Sequence, residues 1–291
     1  MSKSEKKDEK STSTAFSKLE ELKKILLGMN KVLVAFSGGV DSTFLLKVAR
    51  DVLGEKVMAV TASSETYPQE EIKEAKKLAR KLNVRHLVIH TCELENPDFV
   101  NNPPQRCYFC KQELFTKLKE IAESESIPYV LDGANYEDTE DFRPGATAAQ
   151  ELGIRSPLKE AKLVKNEIRA LSKNLDLPTW DKPSLACLSS RFPYYTEIDK
   201  KSLKQIGQAE ELLKKLGFKQ VRVRHHDHIA RIEIETAEFP KIIKNRTKQK
   251  IVEDFKKLGY TYVSLDLAGY RTGSMNEPLP QSLTSGKKNK Q

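Results

Sequence analysis

Lys31-Val32-Leu33-Val34-Ala35-Phe36-Ser37-Gly38-Gly39-Val40-Asp41-Ser42 is the stretch that decides the fold. An apolar, β-type run breaks at a turn of small residues and passes at once into a helical pattern over 43–52. Strand, turn, helix is an order that binds phosphate. Gly38 and Gly39 remove the Cβ atoms that would bar an anion, so backbone N–H groups and the positive end of the helix converge on it. Ser37 and Ser42 add hydroxyl donors. A carboxylate at Asp41 repels phosphate unless a divalent cation lies between them, which predicts a Mg2+ contact. The lysine of Gly-x-x-x-x-Gly-Lys-Ser/Thr is absent, so this is not the phosphate loop of common ATPases.

Outward from that loop, strands are expected at 57–61, 86–90 and 128–132, alternating with helices at 68–82 and 110–122. An amphipathic helix over 16–26 precedes them, and a further helix covers 165–175. The alternation predicts an α/β fold, a doubly wound parallel sheet with helices on both faces. Ligands of such sheets sit at the carboxyl ends of strands where chain order reverses. The tips after Phe36, Thr61 and Asp132 therefore share one expected nucleotide site, which adds Ala62 and Gly133 to the loop residues. A polar, proline-interrupted loop of about 16 residues leads to Cys107, a length that is usually functional or disordered. The irregular stretch from Pro178 to Ile198 marks a boundary. Beyond it, helix 199–216, strands 219–224 and 228–235, helix 247–258 and strand 260–266 predict a smaller C-terminal α+β domain. The expected organisation is a disordered tail 1–14, a nucleotide-binding domain 15–185, a boundary segment 186–198, the α+β domain 199–275 and a disordered tail 276–291.

The 291 residues carry 50 Lys and Arg against 41 Asp and Glu, a formal charge of +9. The two tails hold +5 of it and the body only +4, which argues against a broad nucleic-acid surface. The N-terminus has no apolar leader and no apolar run reaches membrane-spanning length, so a cytoplasmic protein without a membrane partner is expected. Four cysteines, at 92, 107, 110 and 187, are too few for a disulfide scaffold. Cys92 reads as a buried thiol, and His225-His226-Asp227-His228 as an exposed hairpin turn.

Asp132-Gly133-Ala134-Asn135 ends the strand at 128–132, and Asp141-Phe142-Arg143-Pro144-Gly145 follows it. Gly133 lets a flat base or ribose approach the backbone, and Arg143 can bridge an α-phosphate and the charge that develops on phosphorus. Cys107-Tyr-Phe-Cys110 alone fits a redox pair, half a zinc site or chance. A structural zinc would want a second pair, which the chain lacks. Cys187 lies in Lys182-Pro-Ser-Leu-Ala-Cys187-Leu-Ser-Ser-Arg191, and three thiolates can hold a 4Fe–4S cube with one iron left open.

The Ser37–Ser42 segment resembles the SGGxDS pyrophosphate loop of enzymes that cut ATP between the α and β phosphates. Together with 141–145, the Pro-Ser-x-Ala-Cys-Leu-x-Ser-Arg segment and Arg222-Val-Arg224…Ala230-Arg231-Ile-Glu233, it resembles the LarE family over residues 15–280. That resemblance implies an adenine nucleotide alpha hydrolase-like fold and an ATP-dependent sulfur transferase in nickel-pincer nucleotide synthesis. The implied reaction adenylates a pyridinium carboxylate mononucleotide and replaces AMP by sulfur. In one branch of the family a single cysteine, here Cys187, gives up its own sulfur; in the other, three cysteines hold an iron–sulfur cluster. Cys107, Cys110 and Cys187 match the second. The resemblance further implies Arg222, Arg224 and Arg271 at the substrate phosphate, a homo-oligomer, and sulfide or a sulfur-donor protein as partner. Glu210, on the helix before these arginines, resembles a metal ligand of the family. Cluster-dependent tRNA thiolation is the nearest rival, followed by an ammonia-using ligase and a nucleotide sensor without turnover.

Overall fold

The computed structural model describes residues 3–139, 144–183 and 186–280. In chain order the elements are α1 Lys3–Met29, β1 Val32–Ala35, α2 Val40–Leu53, β2 Val57–Ser63, α3 Gln69–Lys81, β3 Arg85–His90, α4 Pro97–Val100, α5 Arg106–Ser124 and β4 Tyr129–Leu131. Then come α6 Pro144–Glu151, α7 Pro157–Glu160, α8 Lys165–Asn174, α9 Lys200–Lys215, β5 Val221–His226, β6 Ile229–Ile234, α10 Phe239–Ile242, α11 Asn245–Lys257 and β7 Tyr262–Leu265.

Strands β3-β2-β1-β4 form a parallel sheet in that order, with β1 paired to both β2 and β4. Side chains alternate across it as the pleat requires. Val32, Val34, Val57 and Ala59 pack with Leu22, Leu45, Ala75 and Ile168 of α1, α2, α3 and α8. Leu33, Met58 and Val60 face the other way, onto Leu114, Phe115, Leu118 and Ala149 of α5 and α6. The fold is therefore doubly wound α/β, and chain order reverses between β1 and β4. That gap places the loops after Phe36 and Leu131 side by side.

The second sheet, β5-β6-β7, pairs β5 with β6 antiparallel and β6 with β7 parallel. Val223, Ala230, Ile232 and Ile234 bury against Leu213 of α9, Phe255 of α11 and Tyr260. A separate apolar cluster of Phe99, Leu188, Phe192, Ile198, Leu203 and Ile206 joins the two units, with Phe109 and Cys110 packed against it. Among the described residues, no helix is long and apolar enough to cross a membrane.

Several local expectations are corrected. Helix α1 starts at Lys3, not near Phe16, because Lys, Glu and Ser offer no break before the apolar stripe. The 16-residue loop holds a short helical turn at Glu93–Glu95 and α4, capped by the Asn96 side chain on the Asp98 N–H. Helix α5 begins at Arg106, four residues earlier than the apolar rhythm suggests. Cys92 is only half-buried. His225 is buried, its ring tilted against Phe192 and edge-on to Tyr260, so the histidine run is not an exposed turn; Asp227 and His228 alone make the bend. Asp141, Phe142, Arg143, Ser184, Leu185 and 281–291 lie outside the described residues, and with them the expectation for Arg143.

Candidate active site

Gly38 has φ +69°, a left-handed conformation that glycine adopts without strain, and a Cβ there would stand 3.2 Å from the Ala75 Cβ. The turn thus sits directly on α3. The Ser37 and Ser42 hydroxyls lie 3.1 Å apart, the Gly39 N–H points to the Ser37 Oγ at 3.4 Å, and Ser42 Oγ donates to the Gly39 carbonyl at 3.4 Å. Gly133, after β4, is packed so tightly on the start of α2 that a Cβ would come 3.1 Å from the Ser42 nitrogen. Asp132 Oδ1 fixes that neighbouring turn, accepting from Ser156 Oγ at 2.6 Å and from the Ala134 N–H at 3.1 Å. Ala62 sits half-buried near the end of β2, and Thr61 Oγ1 donates to the Phe36 carbonyl at 2.6 Å, tying β2 to the loop.

Asp41, in the first turn of α2, receives Lys165 Nζ on Oδ2 at 2.6 Å, while its Oδ1 is buried without a partner. Burial raises its pKa, Lys165 works against that rise, and Asp138 adds to it. A buried carboxylate oxygen with no donor, beside a phosphate-shaped turn, suits a hard cation. Lys182 Nζ donates to the Gly38 carbonyl at 3.2 Å and to Glu71 and Glu74 at 2.8 Å each.

Cys107 and Cys110 fall three residues apart on the first turn of α5, hence on one face of it. Cys107 is exposed and Cys110 half-buried; neither is in a disulfide. Cys187, also free and half-buried, is held to them by non-local bonds. Arg106 donates to the Ser189 carbonyl at 3.2 Å and also to Asn102 Oδ1. The Leu188 N–H donates to the Thr66 carbonyl at 2.8 Å, and Leu188 belongs to the apolar cluster against which Cys110 packs. Burial pushes the Cys110 thiol up, and Glu93 and Cys187 push it further. Crowding by protein raises Cys107 too; Arg106 opposes this and Cys187 reinforces it. The Tyr67 hydroxyl lies 3.9 Å and the buried Glu93 Oε1 3.8 Å from the Cys110 sulfur, and Glu93 Oε2 has no partner. Among the described residues no three His, Cys, Asp or Glu side chains are grouped to hold a single metal ion.

Gly133 abuts Ser42, and a Cβ on Gly145 would stand 3.3 Å from the Cys107 carbonyl. Arg191, in the boundary segment, makes a bidentate pair with Glu210 of α9, at 2.7 and 3.0 Å, and its Nη1 donates to the Cys187 carbonyl at 3.2 Å. Glu210 is accordingly engaged as an ion-pair partner. Arg224 grips Glu233 at 2.9 and 2.8 Å and donates to the Ser190 carbonyl and Ser274 Oγ. Arg222 is buried with its guanidinium 5.3 Å from the Tyr270 ring centre. Arg271 is partly exposed and pairs with Glu277 at 3.1 and 3.3 Å. Sequence reasoning passed over Arg106, Lys165, Glu93 and Tyr67, for which no local motif exists, and quoted Lys182 only as part of a segment.

A family model described as NAD synthase matches residues 17–97. An uncharacterized protein of Synechocystis sp. is 44% identical over 263 residues, covering 90% of this chain and 98% of that one. The pyridinium-3,5-bisthiocarboxylic acid mononucleotide synthase of Lactiplantibacillus plantarum is 40% identical over 258 residues, 88% of this chain and 93% of that one. An argininosuccinate synthase of Methanocaldococcus jannaschii is 30% identical over 165 residues, 51% of this chain and 42% of that one. A glycine turn seated on α3, flanked by Asp41 and by the β4 tip, defines a pyrophosphate-loop enzyme of the ATP pyrophosphatase class. Within that class the chain belongs to the LarE family of ATP-dependent sulfurtransferases.

Proposed function

We propose that the enzyme adenylates the carboxylate of a pyridinium carboxylate mononucleotide and exchanges AMP for sulfur, yielding a thiocarboxylate, with Cys107, Cys110 and Cys187 holding a 4Fe–4S cluster. The observation that supports it best is the run from Thr66 to Ala75, which meets the Cys187 segment through Thr66, Cys110 through Tyr67 and Gly38 through Ala75, since both half-reactions must reach one substrate position. Three thiolates are the ligand complement of an iron–sulfur cube with one iron left open, and a structural zinc would want a second cysteine pair, which the sequence lacks. When bound, the cluster supplies an iron without a protein ligand, where hydrosulfide can be held.

The chain's own residues do the rest. Ser37, Gly38, Gly39 and Ser42 receive the leaving pyrophosphate, and the free Oδ1 of Asp41 meets Mg2+. Ala62 and Gly133 face the nucleotide, and Arg143 meets the α-phosphate. Transferring AMP turns a poor leaving group, the carboxylate oxygen, into a good one. Arg222, Arg224 and Arg271 hold the substrate's phosphate, Arg224 and Arg271 by exchanging the carboxylates of Glu233 and Glu277 for it. The enzyme works in the cytoplasm as a homo-oligomer fed by sulfide or a sulfur-donor protein.

Anaerobic reconstitution with iron and sulfide tests this reading. Wild type should gain the visible absorption of a cluster, and Cys107→Ala, Cys110→Ala and Cys187→Ala should each lose it; a full cluster in all three variants would sink the ligand assignment. Dehydroalanine at position 187 after one turnover would instead favour sacrificial sulfur. Pyrophosphate release stimulated by tRNA and not by the mononucleotide would favour thiolation of RNA.

A further inference from the structure

The ammonium of Lys182 has three N–H donors, and the three described acceptors account for all of them: the Gly38 carbonyl, Glu71 and Glu74. Glu71 and Glu74 lie on the N-terminal half of α3, where Gly38 also packs against Ala75. The same helix is led by the loop after β2, and that loop touches the thiols twice. The Thr66 carbonyl accepts the Leu188 N–H at 2.8 Å, next to Cys187, and the Tyr67 hydroxyl lies 3.9 Å from the Cys110 sulfur. One short run, Thr66 to Ala75, therefore meets the nucleotide loop at one end and the sulfur site at the other.

We infer that Lys182 is a positioning residue that couples the two halves of the reaction: by fastening the pyrophosphate loop to α3, it passes the filling of that loop on to the placement of Cys110 and Cys187. The inference rests on the reading of Ser37–Ser42 as a pyrophosphate site. An anion in the loop orders Gly38, and the ammonium, with a carbonyl on one side and two carboxylates on the other, carries that order into the first turns of α3. Thr66 and Tyr67 then hold the thiol segments more firmly. Without the ammonium, Glu71 and Glu74 would face each other and the loop without a counter-charge, and the contact between loop and helix would reduce to Gly38 on Ala75.

Inorganic pyrophosphate with Mg2+ is the discriminating probe. It fills the loop without covering the place of the substrate carboxylate, and direct shielding of Cys187 by the anion would be the same in wild type and Lys182→Met. The full-length chain, reduced and freed of iron, is alkylated with a maleimide, and the rates at Cys187 and Cys110 are read by peptide mass spectrometry. Pyrophosphate should slow Cys187 about fivefold in wild type, the low end for coupling between linked sites. It should have no effect on Cys187 in Lys182→Met, with part of the effect recovered in Lys182→Arg. The ratio with and without pyrophosphate within one variant cancels any general loosening. Equal protection in wild type and Lys182→Met, or none in wild type, would overturn the coupling while leaving cluster formation and sulfur transfer to their own test. If Lys182→Met does not fold, Glu71→Gln combined with Glu74→Gln keeps the lysine and removes its anchors. Protection should then vanish, and wild-type protection in that variant would overturn the inference.

Discussion

Lys165 Nζ rests 2.6 Å from one carboxylate oxygen of Asp41 and leaves the other buried and unpartnered. The lysine comes from α8, 124 residues away. Burial raises the pKa of Asp41, and Lys165 pulls the other way.

Asp41 must be ionised to hold Mg2+, so pyrophosphate release is present above its folded-state pKa and lost as pH falls through it. Lys165→Met removes the opposing charge, and burial then raises that pKa further. The acid limb of the rate profile should move to higher pH, and an unmoved limb would separate Lys165 from catalysis. Asp41→Ala should abolish pyrophosphate release and leave iron content unchanged.

Arg106 holds the Cys187 segment to α5 through the Ser189 carbonyl. In Arg106→Met all three thiols remain but their mutual placement is lost. Iron bound after anaerobic reconstitution should drop well below the wild-type amount, measured by colorimetric iron analysis, while the KM for ATP changes little.

Glu210 and Arg191 are a fully buried, bidentate pair behind the Cys187 carbonyl. Burial opposes the charge on Glu210, but Arg191 outweighs it and the carboxyl titrates below its ordinary value of 4.5. Its contribution to stability is therefore present above 4.5 and is lost as pH falls through the depressed folded-state pKa. Glu210→Gln strands the guanidinium and should cost about 3 kcal/mol in urea unfolding at neutral pH. The difference from wild type should narrow in acid.

Gly38→Ala places a side chain at φ +69° against Ala75. The left-handed conformation costs about 1 kcal/mol for any residue with a Cβ, and the loop must shift off α3. A raised KM for ATP together with a melting temperature lower by a few degrees is expected; wild-type values for both would show that the turn tolerates a side chain.

Much of the nucleotide half was legible along the chain. Alternating apolar residues, a glycine break and a helical stripe are local signals, and β1, its loop and α2 follow from them. The sulfur half was legible only as residue types. Helix α5 begins before its apolar rhythm because Cys107 is exposed and not part of the core, so periodicity could not see its first turn. Glu93 and Tyr67 belong to no motif and are placed beside Cys110 by the return of distant loops. The arginines were visible, but their partners were not: Arg224 is spent largely on Glu233, Ser190 and Ser274, and Arg271 on Glu277.

By itself the sequence determined the order of strands and helices, the phosphate-gripping turn and the presence of three thiols, because backbone preference and side-chain period act over a few residues. Only the tertiary structure decided that Leu188 bonds to Thr66, that Arg106 reaches Ser189 and that Lys182 spans Gly38 and α3. Those contacts join residues far apart in the chain. They exist because the doubly wound sheet brings its strand ends together and because the apolar cluster around Phe99, Leu188 and Phe192 binds the second domain over them.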